Sequence, residues 1–258
     1  LLIRHISGRA YQQYSSSYCD ISGGPAFEST TNTSQGGPSS AGCGIYAGHW
    51  LYEAGTTLRQ NVNANDTVIP VQDASRFSSG EYVVIYNAPA GSFNNAEHAK
   101  ITAVNNGART ITVQRGYKSA KSAHNSGSII AQHVLGQGVE KRLWAFNMSS
   151  QSPQDASGKK FWQFYADWIG NNYNRHNSGA VAGAPIAGIV MDADFYIDLT
   201  SKNADHNNDL NTDYGISGSG VNWLGEGLDS FYARVRSRLP SKYLMVGVHD
   251  ARGYETAQ

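Results

Sequence analysis

Charge is sparse in this chain and favours neither sign. Charged residues make up 16% of its 258 positions, with 20 basic and 20 acidic, for a formal net charge of zero. Such a chain has no overall field with which to gather nucleic acid or anionic lipid, so neither is an expected partner. No apolar run approaches the ~20 residues of a membrane span. A signal peptide and an initiator Met are both missing. Leu1 opens inside a strand-like run, Leu-Leu-Ile-Arg-His-Ile, so a mature or trimmed piece is expected. The eight histidines (His5, His49, His98, His124, His133, His176, His206 and His249) are scattered without zinc-ligand spacing. There is no Gly-x-Ser-x-Gly elbow, no Gly-x-Gly-x-x-Gly and no Gly-Lys-Ser/Thr loop, so serine hydrolysis and nucleotide binding have no support.

Cysteine is nearly absent too. Cys19 and Cys43 flank a segment of Ser, Thr, Gly and Pro that has little core of its own. A bridge between them would stabilise that loop by roughly 3 kcal/mol. In a secreted protein a disulfide is the expected state, and in a cytosolic one they would be two free thiols. What the chain does hold is Gly, Ser, Asn, Thr, Tyr and Trp, a balance common in secreted bacterial proteins that meet sugars or cell walls.

Three rhythms follow one another. Residues 1–50 carry a strand at Leu1–Ile6, the polar loop, and a candidate strand at Gly44–Trp50. Residues 51–134 hold short β-branched runs at Thr67–Val71, Tyr82–Tyr86, Ala99–Val104, Thr110–Gln114 and Ser128–Ala131. Turn signals such as Asn-Asn-Gly separate them, which is the pattern of a small all-β domain. Residues 135–258 alternate strands with helices. One helix is predicted over Lys159–Arg175, with Phe161, Phe164, Tyr165, Trp168 and Ile169 on one face. A second has Leu224, Leu228, Phe231, Val235 and Leu239 in register, and strands are predicted at Leu143–Asn147 and Tyr243–His249. The expected fold class is therefore α/β. A partial TIM-barrel-like parallel sheet, 1–50 and 135–258, is interrupted by the inserted small all-β domain, 51–134. Too few residues lie outside the insert for the ~200 to 250 of a whole barrel, so an incomplete carboxyl-terminal end is expected.

The most informative run is Ala187-Gly-Ile-Val-Met-Asp-Ala-Asp-Phe-Tyr196. Its apolar part reads as a strand buried on both faces and ends in Asp192 and Asp194. Residues two apart on a strand point the same way, roughly 6 to 7 Å apart. Enzymes with parallel sheets place catalytic groups at such strand ends.

Several short motifs carry a resemblance: Arg4-His-Ile-Ser-Gly-Arg-Ala-Tyr11, Cys19-Asp20, Tyr46-Ala-Gly-His-Trp50 and Asn95-Ala-Glu-His-Ala-Lys100. So do Thr112-Val-Gln-Arg-Gly-Tyr-Lys118, Trp144-Ala-Phe-Asn147, Gly188-Ile-Val-Met-Asp192 and Gly227-Leu-Asp-Ser-Phe-Tyr-Ala-Arg234. In this order, over nearly the whole chain, they resemble a hypothetical glycoside-hydrolase-like family of secreted bacterial proteins, built as a TIM barrel with an inserted β module. The resemblance implies action on polysaccharide with an acid at the end of the strand that carries Asp192.

Glycoside hydrolysis needs two carboxyl groups, about 5 Å apart in retaining enzymes and ~6.5 to 9.5 Å apart in inverting ones. Asp192 is the leading candidate. Asp194, Asp250 or a residue beyond 258 would be its partner. Trp144, Phe146, Tyr196 and Trp223 could stack on sugar rings, and Arg4 and His5 could reach the same mouth. No cofactor is required by this chemistry. A second acidic stretch offers Asp205, Asn207, Asp209, Asn211 and Asp213 at alternate positions, as a loop wrapping Ca²⁺ would. It departs from the usual pattern at Leu210, where Gly makes the bend, and at Ser217, which brings no bidentate carboxylate. A non-catalytic reading stands beside the enzyme: an extracellular sheath, filament, adhesive or carbohydrate-binding subunit, whose β module could self-associate through strand edges.

Overall fold

The run Tyr82-Val-Val-Ile-Tyr-Asn87 is apolar at five consecutive positions, and such a strand must be covered on both faces. It is. In the computed structural model, which describes residues 3–6, 9–11, 46–117, 120–134, 143–175, 187–191, 203–213 and 220–246, this strand lies in the middle of the largest sheet. The strands are β1 (Ile3–Ile6), β2 (Arg9–Tyr11), β3 (Tyr52–Glu53), β4 (Thr56–Thr57), β5 (Val68–Pro70), β6 (Tyr82–Asn87), β7 (Asn94–Asn105), β8 (Thr110–Gln114), β9 (Ile129–Gln132), β10 (Leu143–Ala145), β11 (Gly188–Met191), β12 (Ala204–Asp205) and β13 (Tyr243–Val246). The helices are α1 (Phe161–Arg175) and α2 (Trp223–Arg238).

The large sheet is six-stranded in the order β4-β9-β6-β7-β8-β5, and every pairing in it is antiparallel. Its two outer strands then meet. Leu58 bridges Val71, the Arg59 N–H donates to the Pro70 carbonyl at 2.9 Å, and the Gln72 N–H donates to the Thr57 carbonyl at 2.9 Å. The sheet thus curls round on itself into a small barrel. Alternation along the strands fills the inside: Val83 and Ile85 point inward with Leu58, Ile69, Val71, Ile101, Ile111, Val113 and Ile130. Because 57–59 are paired with 70–72, the edges there are not open for the self-association foreseen through this module.

Tyr82, Val84 and Tyr86 point the other way. They join one continuous core with Trp50, Tyr52, Phe93, Phe146, Phe161, Tyr165 and Phe231, which reaches both helices. α1 buries Phe161, Tyr165, Ala166 and Ile169, and α2 buries Leu224, Leu228, Phe231, Val235 and Leu239, each along one stripe. Asn222 caps α2 by accepting the Gly225 N–H at 2.8 Å. The rings of Tyr165 and Phe231 stack across the helix pair at 5.8 Å. No described helix is long and apolar enough to cross a membrane.

The expected TIM-barrel-like parallel sheet is overturned. Most of the described pairing is antiparallel, and parallel pairing is confined to a three-stranded sheet ordered β1-β11-β13. The reason is that strand–helix alternation fixes element type but not pairing partner. β10 precedes α1 as a parallel βα unit would require, yet it pairs antiparallel with β2. β12 likewise pairs antiparallel with β3. Only two α-helices occur among the described residues, too few to ring a barrel.

One contact sets how closely α2 approaches the chain after β10. A Cβ on Gly227 would run into the Met148 carbonyl and the backbone of Ser149 and Ser150, where the Ser150 N–H donates to the Trp223 carbonyl at 2.8 Å. Gly227→Ala is therefore expected to lower unfolding free energy by about 1–3 kcal/mol, the usual cost of overpacking. Urea denaturation beside the wild type checks it.

Candidate functional site

Central position decides what β11 can present. Parallel neighbours flank it in continuous register, Ile3 to Ile6 on one side and Tyr243 to Val246 on the other. Ile6, Met191 and Val246 consequently stand level at the carboxyl-terminal edge of this sheet, and Asp192 is the next residue after Met191. Ile189 is buried, consistent with the two-sided burial read from its sequence. In parallel sheets, ligands bind beyond the carboxyl ends of the strands. Asp192, Asp194, Tyr196 and Asp250 lie outside the described residues, as do Cys19 and Cys43. The backbones of Arg4 and His5 face Ile189 and Val190 in this sheet, but their side chains are also outside what is described.

The proposed sugar-stacking aromatics separate. Phe146 is 2% exposed, sandwiched between Trp50 at 4.8 Å and Phe161 at 4.2 Å. Both its faces are used by the core, and none is left for a sugar. Trp144 has its backbone in β10 opposite Ala10, with its side chain undescribed. Trp223 begins α2 half-buried, its carbonyl tied to Ser150.

The acidic loop after β12 is organised around its own backbone. Asp205 accepts the N–H groups of Asp209 at 3.1 Å and Leu210 at 2.7 Å. Asn207 accepts from Asp209 at 3.2 Å, Asp209 from Asn211 at 2.8 Å, and Asp213 from His206 at 3.0 Å. Leu210 does take the left-handed conformation of the bend, with φ +75°. Among the described residues no three His, Cys, Asp or Glu side chains are grouped to hold a metal ion, and the loop oxygens bond the loop's own backbone. Burial, followed by the nearby Asp209 and Asp213, pushes the Asp205 carboxyl up to about 7 despite the two backbone bonds.

Sequence reasoning missed the main buried polar groups. Glu97 on β7 and Arg115 just after β8 form a fully enclosed bidentate pair, with both bonds at 2.7 Å. Glu97 also accepts the N–H groups of Gly116 and Ser122, and His124 Nε2 lies 3.4 Å from it. Arg115 donates onward to the carbonyls of Asn63, Asp66 and Ser122. Burial would raise the Glu97 carboxyl, but its bonds from Arg115, His124 and Ser122 overcome that and hold it at about 2. Both residues lie in motifs quoted above, but the register that brings the end of β8 beside Glu97 is written in neither motif. Glu53, pushed up to about 7 by burial, was missed as well.

Histidines line the seam between barrel and helices. His98 Nδ1 and His133 Nε2 are 3.0 Å apart in the core, and His49 Nε2 donates to the Lys159 carbonyl at 3.0 Å. Burial lowers His49, His98 and His206 to about 4 and takes His133 well below its ordinary value.

No family model matches the chain. No curated protein matches it. Among solved structures, the tailspike of Acinetobacter baumannii bacteriophage AP22, in complex with A. baumannii capsular saccharide, aligns at 21% identity and TM-score 0.24 over 30% of this chain and 14% of that one. The tailspike of Pseudomonas phage LKA1 aligns at 20% identity and TM-score 0.25, over 33% and 14%. The aligned part spans about a seventh of either tailspike, and scores of this size do not establish a shared fold.

Two outcomes follow from the buried groups. Glu97→Gln leaves Arg115 buried without its counter-charge, so a loss of about 3–5 kcal/mol is expected in urea denaturation. The pH dependence has a definite sign. His49, His98, His133 and His206 are neutral when folded but protonate at about 6.5 when unfolded, so each withdraws stability as pH falls from about 6.5 towards 4. Glu53 and Asp205, raised to about 7, act oppositely in that window, adding stability on acidification and losing it as pH rises through about 7. Four groups outweigh two, so the melting temperature should drop between pH 6.5 and 4. A flat or rising profile in differential scanning calorimetry would contradict the neutral histidine core.

Proposed function

We propose that this is an extracellular polysaccharide-engaging protein whose ligand lies across the carboxyl-terminal edge of the β1-β11-β13 sheet, and that it acts as a binding or structural subunit. The observation that supports the place is the level register of Ile6, Met191 and Val246, with β11 held between parallel neighbours. Low charge density and abundant Tyr, Trp, Asn and Ser suit a surface that meets neutral hydroxyl-rich polymers. Binding is put first because, among the described residues, Glu97, Asp155, Asp167 and Asp205 each commit carboxylate oxygens to fixed hydrogen-bond donors. A general acid must instead exchange its proton with substrate. The hydrolase reading keeps one specific support: Asp192 directly follows the central strand at that edge.

Binding assays on a panel of bacterial capsular and exopolysaccharides, run with a reducing-end release assay, separate the two. The capsular saccharide held by the phage AP22 tailspike serves only as a first ligand to try. Binding by wild type without release of new reducing ends is the expected result, with Asp192→Asn weakening it by about 1–2 kcal/mol, the scale of one lost polar contact. Turnover that vanishes in Asp192→Asn would replace binding with hydrolysis. Failure to bind any member of the panel would remove polysaccharide from consideration.

A further inference from the structure

The chain holds one Asn-Gly pair, Asn106-Gly107. It lies in the turn 106–109 that joins β7 to β8, with Asn105 paired to Thr110 across the base. Every residue of the turn is exposed. The two adjacent asparagines are used differently. Asn105 Oδ1 accepts the Ala108 N–H at 2.9 Å and so closes the turn with its side chain. The Asn106 carbonyl accepts the Arg109 N–H at 3.3 Å. Among the described residues, none bonds the Asn106 side-chain amide or the Gly107 N–H.

Free groups in this order have a chemistry of their own. The Gly107 nitrogen can attack Asn106 Cγ, forming a cyclic succinimide and releasing the amide nitrogen as ammonia. Water then opens the ring at either carbonyl, giving aspartate or isoaspartate. Glycine permits the closure because no Cβ shields its nitrogen, and the reacting groups are already neighbours. Asn125-Ser126, in another exposed turn, shows the contrast. There the Ser126 N–H is engaged, donating to Asn61 Oδ1 at 2.8 Å.

The 106–109 turn is also part of how the barrel closes. Its Arg109 carbonyl accepts the Val71 N–H at 2.9 Å, and its Ala108 carbonyl accepts from Arg59 Nη1 at 3.3 Å. Val71 is the residue that bridges Leu58 where the outer strands meet. Isoaspartate reroutes the main chain through the former side chain, which lengthens it by a methylene. The Asn106 carbonyl that holds Arg109 becomes a free carboxylate outside the main chain.

We propose that Asn106 is a site of spontaneous deamidation, and that the isoaspartate formed there loosens the seam at which the barrel closes. Nothing in this chemistry depends on a polysaccharide.

The test ages the full folded chain in mildly alkaline buffer and follows its peptides by mass spectrometry, with isoaspartate scored by an isoaspartyl methyltransferase. The peptide containing Asn106 should gain about 1 Da, and the one containing Asn125 should stay unchanged. Gly107→Ala adds a Cβ that would meet only Asn105 Oδ1, at 3.6 Å, an ordinary contact. That variant should deamidate at least about 10-fold more slowly, and a thermal melt verifies that it folds. The isoaspartate form should melt about 2–4 °C below the fresh chain, the shift that one lost hydrogen bond gives at this size. Asn106→Asp, which adds the charge on an unaltered backbone, should melt with the wild type. No mass gain at Asn106 in the folded chain would overturn the proposal, whether or not the urea-unfolded chain reacts. So would an equal rate in Gly107→Ala, or an equal gain at Asn125. An isoaspartate form that melts with Asn106→Asp would overturn the effect on the seam.

Discussion

The two-sided burial of β6 is the constraint on which the described structure depends. Val83 and Ile85 complete the inside of the barrel, while Tyr82, Val84 and Tyr86 complete the core shared with the helices. One strand of six residues therefore couples two hydrophobic clusters. Neither cluster can loosen without uncovering one face of that strand, which makes barrel and helical part a single folding problem despite their different secondary structure.

Polar groups reinforce the same arrangement from opposite sides. On the inward parity of β7, Glu97 fastens Arg115 and, through it, the loop carbonyls at Asn63, Asp66 and Ser122. On the outward parity of the same strand, His98 meets His133 beneath Trp50 and Tyr52. Adjacent residues thus serve different cores. The period of two in a strand allows a charged staple and a neutral imidazole pair to sit side by side without sharing an environment.

Local rhythm was legible. Both helices, their apolar stripes and the β-branched strands from 67 to 131 could be read directly, because amphipathic periodicity is a property of consecutive residues. The burial of Gly188 and Ile189 in β11 was legible from the run of apolar residues there. Pairing was not. Leu143–Ala145 has the composition of a barrel strand, yet its partner is Arg9–Tyr11 in antiparallel sense, a choice made by chain segments more than a hundred residues away. Phe146 looked like a platform for sugar and proved to be a filling between two rings, since composition cannot tell an exposed aromatic from a buried one. The loop from Asp205 to Asp213 showed the right oxygens for an ion, but short Asp and Asn side chains bond their own backbone just as readily. Acids paired across strands, such as Glu97 with Arg115, need a register that one sequence does not supply.

The barrel's doorway has a consequence for how the chain is connected. Thr56 enters opposite Ile130, so the chain arrives and leaves on neighbouring strands. The gap between entry and exit is about one interstrand spacing, ~5 Å, so the rest of the chain does not have to stretch to accommodate the unit. Deleting the unit would take away Phe93, which stacks on Tyr52 at 5.6 Å, and leave that ring's apolar face bare.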